Sequence, residues 1–300
     1  MIGRLFHNYH PKSINMKSIS FLLSILFIFS FTGKDENVFP KKMQKRYAYI
    51  PSGEVKIGED KKIVNGFYMM KTEVSNLDYQ EFLYYLKING ESKKLEIAEV
   101  HSDGWEIGEM DPIKEKYFEH PSYHEYPVVN ITKEAAQLYC DFLKDILNET
   151  DAIKGYKVAY CRLPLHEEWV MAARGGEMDA PYPWDGKYLR NSKGQFLANF
   201  KGLGSGNISY DYESKSYKII EDEKTQANFF ITAPIYSYHQ NGFDMYNMSG
   251  NAAEMIADKE VAVGGSWRST GYDVRIESEM PFSEYSPEVG FRPLLILEKE

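Results

Sequence analysis

Apolar and polar residues recur with two different periods along this chain, and each change of period marks the start or end of an element. Tyr47–Ile50 and Val55–Ile57 alternate around Pro51-Ser52-Gly53, a turn-forming triplet, and predict a β-hairpin. Phe67–Met70 predicts a further strand. At Ser75 the period becomes helical: Tyr79, Phe82, Leu83 and Leu86 follow a serine suited to capping and an acidic Asp78 in the first turn. Thr132 opens a second helix whose apolar face is Ala135, Leu138, Tyr139, Phe142, Leu143 and Ile146. Val158–Leu163 reads as a strand, and Glu167–Ala173 as a short helix closed by Gly175-Gly176. Pro127–Asn130 is a short strand-like run, and Val261–Trp267 and Gly290–Leu297 are the last predicted strands. Gly90–Tyr126 and Tyr182–Tyr246 carry aromatic residues without periodicity, the mark of long loops packed on a core. The fold class that follows is a single irregular, loop-rich α+β domain with two main helices.

One run stands outside this pattern. Ile19–Phe31 is almost continuously apolar and follows Lys17, which fits a signal-peptide core and is short for a membrane span. Residues 1–33 therefore read as an N-terminal extension with a signal peptide or an uncleaved anchor. The charged segment 34–45, with Pro40, reads as a linker, and 46–300 as the folded domain. The protein is expected to be exported, to the periplasm or cell envelope. A chain of 300 residues with 43% hydrophobic content can bury a substantial core. A net charge of −9 argues against a nucleic-acid partner, since phosphate binding needs a basic face. The 23 tyrosines suit rings buried under loops with their hydroxyls satisfied.

Candidate chemistry is sparse. Cys140 and Cys161 are the only cysteines, one on a predicted helix and one on a predicted strand, so a disulfide and two buried free thiols are both open. His120 and His124 are spaced for one helix face, but Pro121 and the lack of a third ligand favour packing over zinc. Gly202–Gly206 lacks the strand–loop–helix context of a phosphate loop. A serine nucleophile at Ser266 or Ser269 would need a histidine and an acid close in space, and nothing in the sequence beyond their presence brings His239 and Asp273 to it. NMSGNAAE, Asn247–Glu254, sets an amide, main-chain carbonyls and a carboxylate within eight positions, the oxygen-rich composition a hard cation takes.

That stretch is one of several blocks in a fixed order. They are KTEVSNLDYQEF (71–82), PVVNITKEAAQLYCDFL (127–143), RLPLHEEWVMAARGG (162–176), YPW (182–184), AN (198–199), TAP (232–234), NGFDMYNMSGNAAEM (241–255), GGSW (264–267) and VGFRPL (289–294). Together they resemble the formylglycine-generating-enzyme, or sulfatase-modifying-factor, family from about Tyr47 to Leu297. The resemblance implies a fold with little regular structure, related to C-type lectins and stabilised by calcium. Asn247, Gly250, Ala252 and Glu254 match one family calcium site, with the loop taken as extended so that alternate residues point one way. Asn199 and Phe200 match the first half of a second site, whose expected acid falls at Ala227, with Asn228 alongside. Arg162, Glu168, Trp169, Arg174 and Gly176 match scaffold positions, and Leu165 stands where the family has a capping threonine.

The family's oxidase activity depends on two copper-binding cysteines shortly after the GGS block. Here Ser269 takes the first cysteine's place and no cysteine follows Cys161. A serine hydroxyl is too hard and too weakly acidic to replace a thiolate toward Cu(I). The implied function is a non-catalytic, calcium-stabilised binding module with a pocket at Trp267, Arg268, Ser269 and Arg275. A protein partner in an envelope assembly of the secretion or gliding type, or a carbohydrate, would be its ligand. The alternative is an oxidoreductase that converts a sulfatase cysteine to formylglycine with other ligands.

Overall fold

Four-residue apolar strands cannot bury both faces alone, and this chain buries them by layering. In the computed structural model, which describes residues 38–41, 43–105, 116–150, 152–202, 208–219 and 231–300, β1 (Tyr47–Ile50) pairs antiparallel with β4 (Phe67–Met70). β4 pairs in turn with β12 (Leu294–Lys299), and β12 with β5 (Tyr156–Arg162), giving the sheet order β1-β4-β12-β5. All four β4 residues are buried because alternate side chains enter different layers. Phe67 and Met69 join the main core with Trp169, Val170 and Leu294, whereas Tyr68 meets Phe39 at a ring distance of 4.3 Å. Phe39, expected in the linker, is thus buried, and residues Phe39–Glu300 form one unit.

The expected β1–β2 hairpin does not form. β2 (Gly53–Ile57) pairs instead with β3 (Asp60–Val64), a strand too polar and exposed to announce itself by alternation. Pro51-Ser52 releases the chain from one sheet into a separate hairpin. A second sheet has the order β10-β9-β8-β11, from Glu279–Pro281, Val261–Val263, Ala253–Met255 and Val289–Gly290, with β8 and β11 parallel. The run from Val261 to Trp267 ends as a strand at Val263, where Gly264 and Gly265 take positive φ. Pro127–Asn130 makes only an isolated bridge, Ser75 to Pro127, and β6 (Ile208–Asp211) and β7 (Ser216–Ile219) form a separate hairpin.

The two main helices start where their caps predict. Ser75 Oγ accepts from Asp78 N at 3.1 Å at the head of α1 (Asn76–Ile88), and Thr132 Oγ1 from Ala135 N at 3.1 Å at the head of α3 (Lys133–Glu149). Between them α2 (Ser92–Ile97) buries no residue, so no apolar period revealed it. α4 (His166–Arg174) lacks a capping side chain at Leu165, and two carboxylates cover the loss. Glu168 Oε2 accepts from Leu165 N at 2.7 Å, and Asp258 Oδ1 from His166 N at 2.9 Å. Gly175 closes α4 in the left-handed region, where a β-carbon would lie 2.7 Å from Gly242 N. No helix among the described residues is long and apolar enough to cross a membrane.

Candidate binding site and its buried polar centre

The NMSGNAAE loop is wound, not extended. Asn247, Gly250 and Asn251 all take left-handed backbone (φ 53°, 74° and 66°), a conformation asparagine and glycine adopt most readily. Gly250 is required for a second reason: a β-carbon there would stand 2.3 Å from Asn199 O. The winding lets the loop touch two other segments through its backbone. Asn251 N donates to Asn199 O, Gly250 N to Gly264 O, and Trp267 N to Asn251 O. The calcium reading took this loop as extended, and the three left-handed residues show that it is not.

The side chains turn inward onto a buried polar centre. Glu254, 1% exposed, is bound by the fully buried Arg292: Nε lies 3.1 and 3.0 Å from the two carboxylate oxygens and Nη2 2.6 Å from Oε1. Trp169 Nε1 donates to Glu254 Oε2 at 2.8 Å. Arg292 also donates to Met70 O and Tyr246 O, so it ties β4 and the loop before Asn247 to β8. Beside it Glu73 is fully buried and accepts from Asn251 Nδ2 at 2.7 Å and Asn247 Nδ2 at 3.1 Å. Burial pushes the Glu73 carboxyl up to about 7, only partly opposed by the Arg292 charge. Asn251 Oδ1 accepts from Asn199 Nδ2 and Ala233 N, which extends the network to the TAP block.

Glu254, expected as a calcium ligand, is here engaged by the protein itself. Its two oxygens already carry four donor contacts, and a dication placed there would face a buried guanidinium. Without it, Asn247 and the carbonyls of Gly250 and Ala252 offer calcium neutral oxygens only, fewer than the six to eight it takes. At the second set, Asn199 Oδ1 is buried without a partner, which suits a donor, and Phe200 is a buried ring that could give only its carbonyl. Ala227 and Asn228 lie outside the described residues, as do the expected signal segment and positions 203–206 of the glycine-rich loop. Among the described residues, no group of three or more His, Cys, Asp or Glu side chains is placed to hold a metal. His120 Nδ1 instead accepts from Ser122 N in a short 3-10 turn.

The expected pocket divides into two neighbourhoods. Trp267 is 5% exposed, stacks toward Trp105 at 6.2 Å and donates from Nε1 to Pro287 O. Arg268 lies 5.6 Å over the Trp267 ring and 3.7 Å from Glu288 Oε1. Ser269 Oγ accepts from Ser266 N, and Ser266 Oγ donates to Glu288 Oε2 at 2.5 Å. Arg275 does not join them; its guanidinium lies 3.4 Å over the exposed Tyr272 ring, and its Nε donates to Tyr272 O. Beyond Pro287, whose carbonyl accepts from Trp267, a cavity of about 480 Å³ is lined by Asp103, Asn130, Ser283, Glu284, Tyr285 and Pro287 itself. Asn130, with φ 60° and a buried, unpartnered Oδ1, is the one residue there whose backbone and side chain are both unusual.

The donor set decides what this cleft can do. Ser269, matched by resemblance to the family's first cysteine position, offers a hydroxyl and not a thiolate, and Ser266 is paired with a carboxylate rather than a histidine. Asp273 bonds Thr270 Oγ1 and is likewise not part of a serine triad. Both cysteines are buried on α3 and β5. The residues present do not fit a copper centre of the thiolate type.

Fold and site together define a loop-rich α+β domain with a buried carboxylate–guanidinium centre and a separate polar cleft lined by Asp103, Asn130 and Tyr285. The sulfatase-modifying factor enzyme 1-like domain model matches residues 34–295, and the chain belongs to that family. It is 26% identical to the formylglycine-generating enzyme of Mus musculus over 220 residues, 65% of this chain and 50% of that protein. It is 27% identical to the inactive C-alpha-formylglycine-generating enzyme 2 of Bos taurus over 155 residues, 49% of this chain and 40% of that one. The chain thus spans about half the length of the curated relatives it matches. Among solved structures, CarF superposes with a TM-score of 0.53 at 19% identity, covering 83% of this chain and 97% of that one. PvdO from Pseudomonas aeruginosa gives 0.50 at 17%, covering 83% and 93%. These likenesses establish the α+β fold.

Proposed function

We propose that this protein is a non-catalytic member of its family, an exported binding module whose ligand is a protein partner in the cell envelope. The observation that carries the reading is Ser269, which takes the place of the family's first cysteine and is held by hydrogen bonding in the Ser266–Ser269–Glu288 cluster. Kinship with a protein named as inactive adds that the fold persists without the chemistry. The cleft beyond Pro287 has the means to bind: Asp103 and Glu284 supply acceptors and Tyr285 an aromatic wall, which suits a polypeptide segment bearing a basic or amide side chain. Two tests decide it. Cu(I) titration with oxygen uptake on a cysteine-containing peptide should be null, and tight stoichiometric copper with turnover would restore the oxidase reading. Co-purification from native membranes should recover a partner that Tyr285→Ala loses.

A carbohydrate ligand is the second reading, favoured by one observation. The β6–β7 hairpin displays Tyr212 and Tyr217 at 84% and 77% exposure, each edge-on to Tyr210. Specific signals on a glycan array, lost in Tyr212→Ala and Tyr217→Ala, with no protein partner recovered, would replace the first reading with this one.

A further inference from the structure

The two cysteines sit on consecutive elements, Cys140 on α3 and Cys161 on β5, and the packing of the helix on the strand brings those stretches together. Two side-chain tethers set the alignment. Gln137 Nε2 donates to Cys161 O at 3.4 Å, and Asn148 is bonded on both sides to Val158, accepting at 2.8 Å and donating at 3.1 Å. Cys140 is one turn beyond Gln137 on the same helix face, which sets it beside the Cys161 segment that Gln137 binds, and the Cys161 thiol is near enough to help push the Cys140 thiol up. Both are buried, at 0% and 5% exposure, with no other cysteine in the chain to compete.

We infer that Cys140 and Cys161 are an oxidisable pair that closes to a disulfide when the chain folds under oxidising conditions, stapling α3 to the edge strand of the first sheet. The step needs a disulfide-bearing oxidant, either a thiol–disulfide exchange protein or glutathione disulfide. One cysteine thiolate attacks the oxidant's disulfide and expels one thiolate, and the second cysteine then displaces the other. Two S–H bonds are lost, one S–S bond forms, and the two protons and two electrons leave on the reduced carrier. Burial pushes the Cys140 thiol up and shields both sulfurs, so exchange belongs to folding, before α3 docks. The bond closes a loop of about twenty residues, a length at which cross-linking the unfolded chain raises stability appreciably.

Where this happens in the cell rests on the export reading; the chemistry does not, and the test separates them. The full chain would be reduced, unfolded and refolded in a mixture of glutathione and its disulfide, then denatured for thiol titration and intact-mass measurement. The expected result is no titratable thiol, a mass about 2 Da lower than that of the reduced chain, and a proteolytic fragment joining both cysteines. The melting temperature should exceed that of the same chain refolded in reductant by roughly 5 °C or more. Cys161→Ser carried through the same refolding should keep one thiol and show no gain. Two titratable thiols, a glutathione adduct on each cysteine, or dimers linked between chains would overturn the inference. A disulfide in refolded protein with reduced thiols in protein from the native host would uphold it and refute export.

Discussion

Replacing Arg292 with methionine tests whether the carboxylate–guanidinium centre, rather than a cation, holds the NMSGNAAE loop. The substitution keeps most of the side-chain volume and removes five donors from a site with no access to water. Glu254 would retain only the Trp169 contact, and Met70 O and Tyr246 O would each lose a buried partner. Breaking a buried ion pair from one side costs about 3–5 kcal/mol, most of it for leaving a charge uncompensated. The two carbonyls place this case toward the upper end. In a domain of this size each kcal/mol moves the melting temperature by roughly 2–4 °C, so the loss should fall between ~6 and ~20 °C. The assay is thermal melting by circular dichroism, with and without EDTA, on the wild type, Arg292→Met and the double variant Glu254→Leu/Arg292→Met. The double variant should recover part of the loss, because no unpaired charge remains. EDTA should leave the wild-type melt in place. The reasoning fails if Arg292→Met melts within ~2 °C of wild type, or if EDTA alone lowers the wild-type melt as far as the substitution does.

Three further outcomes follow from the same interior. Glu73 is raised from 4.5 to about 7, so on raising the pH the unfolded chain loses its proton first and stability falls between those values. At about 1.4 kcal/mol per pH unit the contribution is roughly 3 kcal/mol, and Glu73→Gln should flatten urea-melt stability across that window; an unchanged slope would place the titration elsewhere. Asp258→Ala removes the acceptor for His166 N and should cost about 0.5–2 kcal/mol, with Asp258→Asn losing less. A loss below that range in chemical denaturation would mean Glu168 caps α4 unaided. Gly250→Ala should not yield a stable fold, since its β-carbon would meet Asn199 O at 2.3 Å; a wild-type melt would contradict the packing of that loop.

The residues themselves made much of this protein legible. Ser75 and Thr132 announced the two main helices because a cap is a local event, decided by one side chain and the next three amides. β4, β5 and β12 were visible because an apolar run has to be buried whatever covers it. The ordered blocks placed the chain in its family without any coordinates. Tertiary structure decided what each polar group of those blocks is for. Glu254 looked like a cation ligand because its neighbours in sequence are oxygen donors, but its neighbours in space are Arg292 and Trp169. Asn247 and Asn251 serve Glu73, 174 and 178 positions away, an assignment no local pattern encodes. β3 and α2 escaped notice because neither has an apolar face to betray its period. Sequence reports what a side chain can donate or accept; only the fold determines which partner reaches it first.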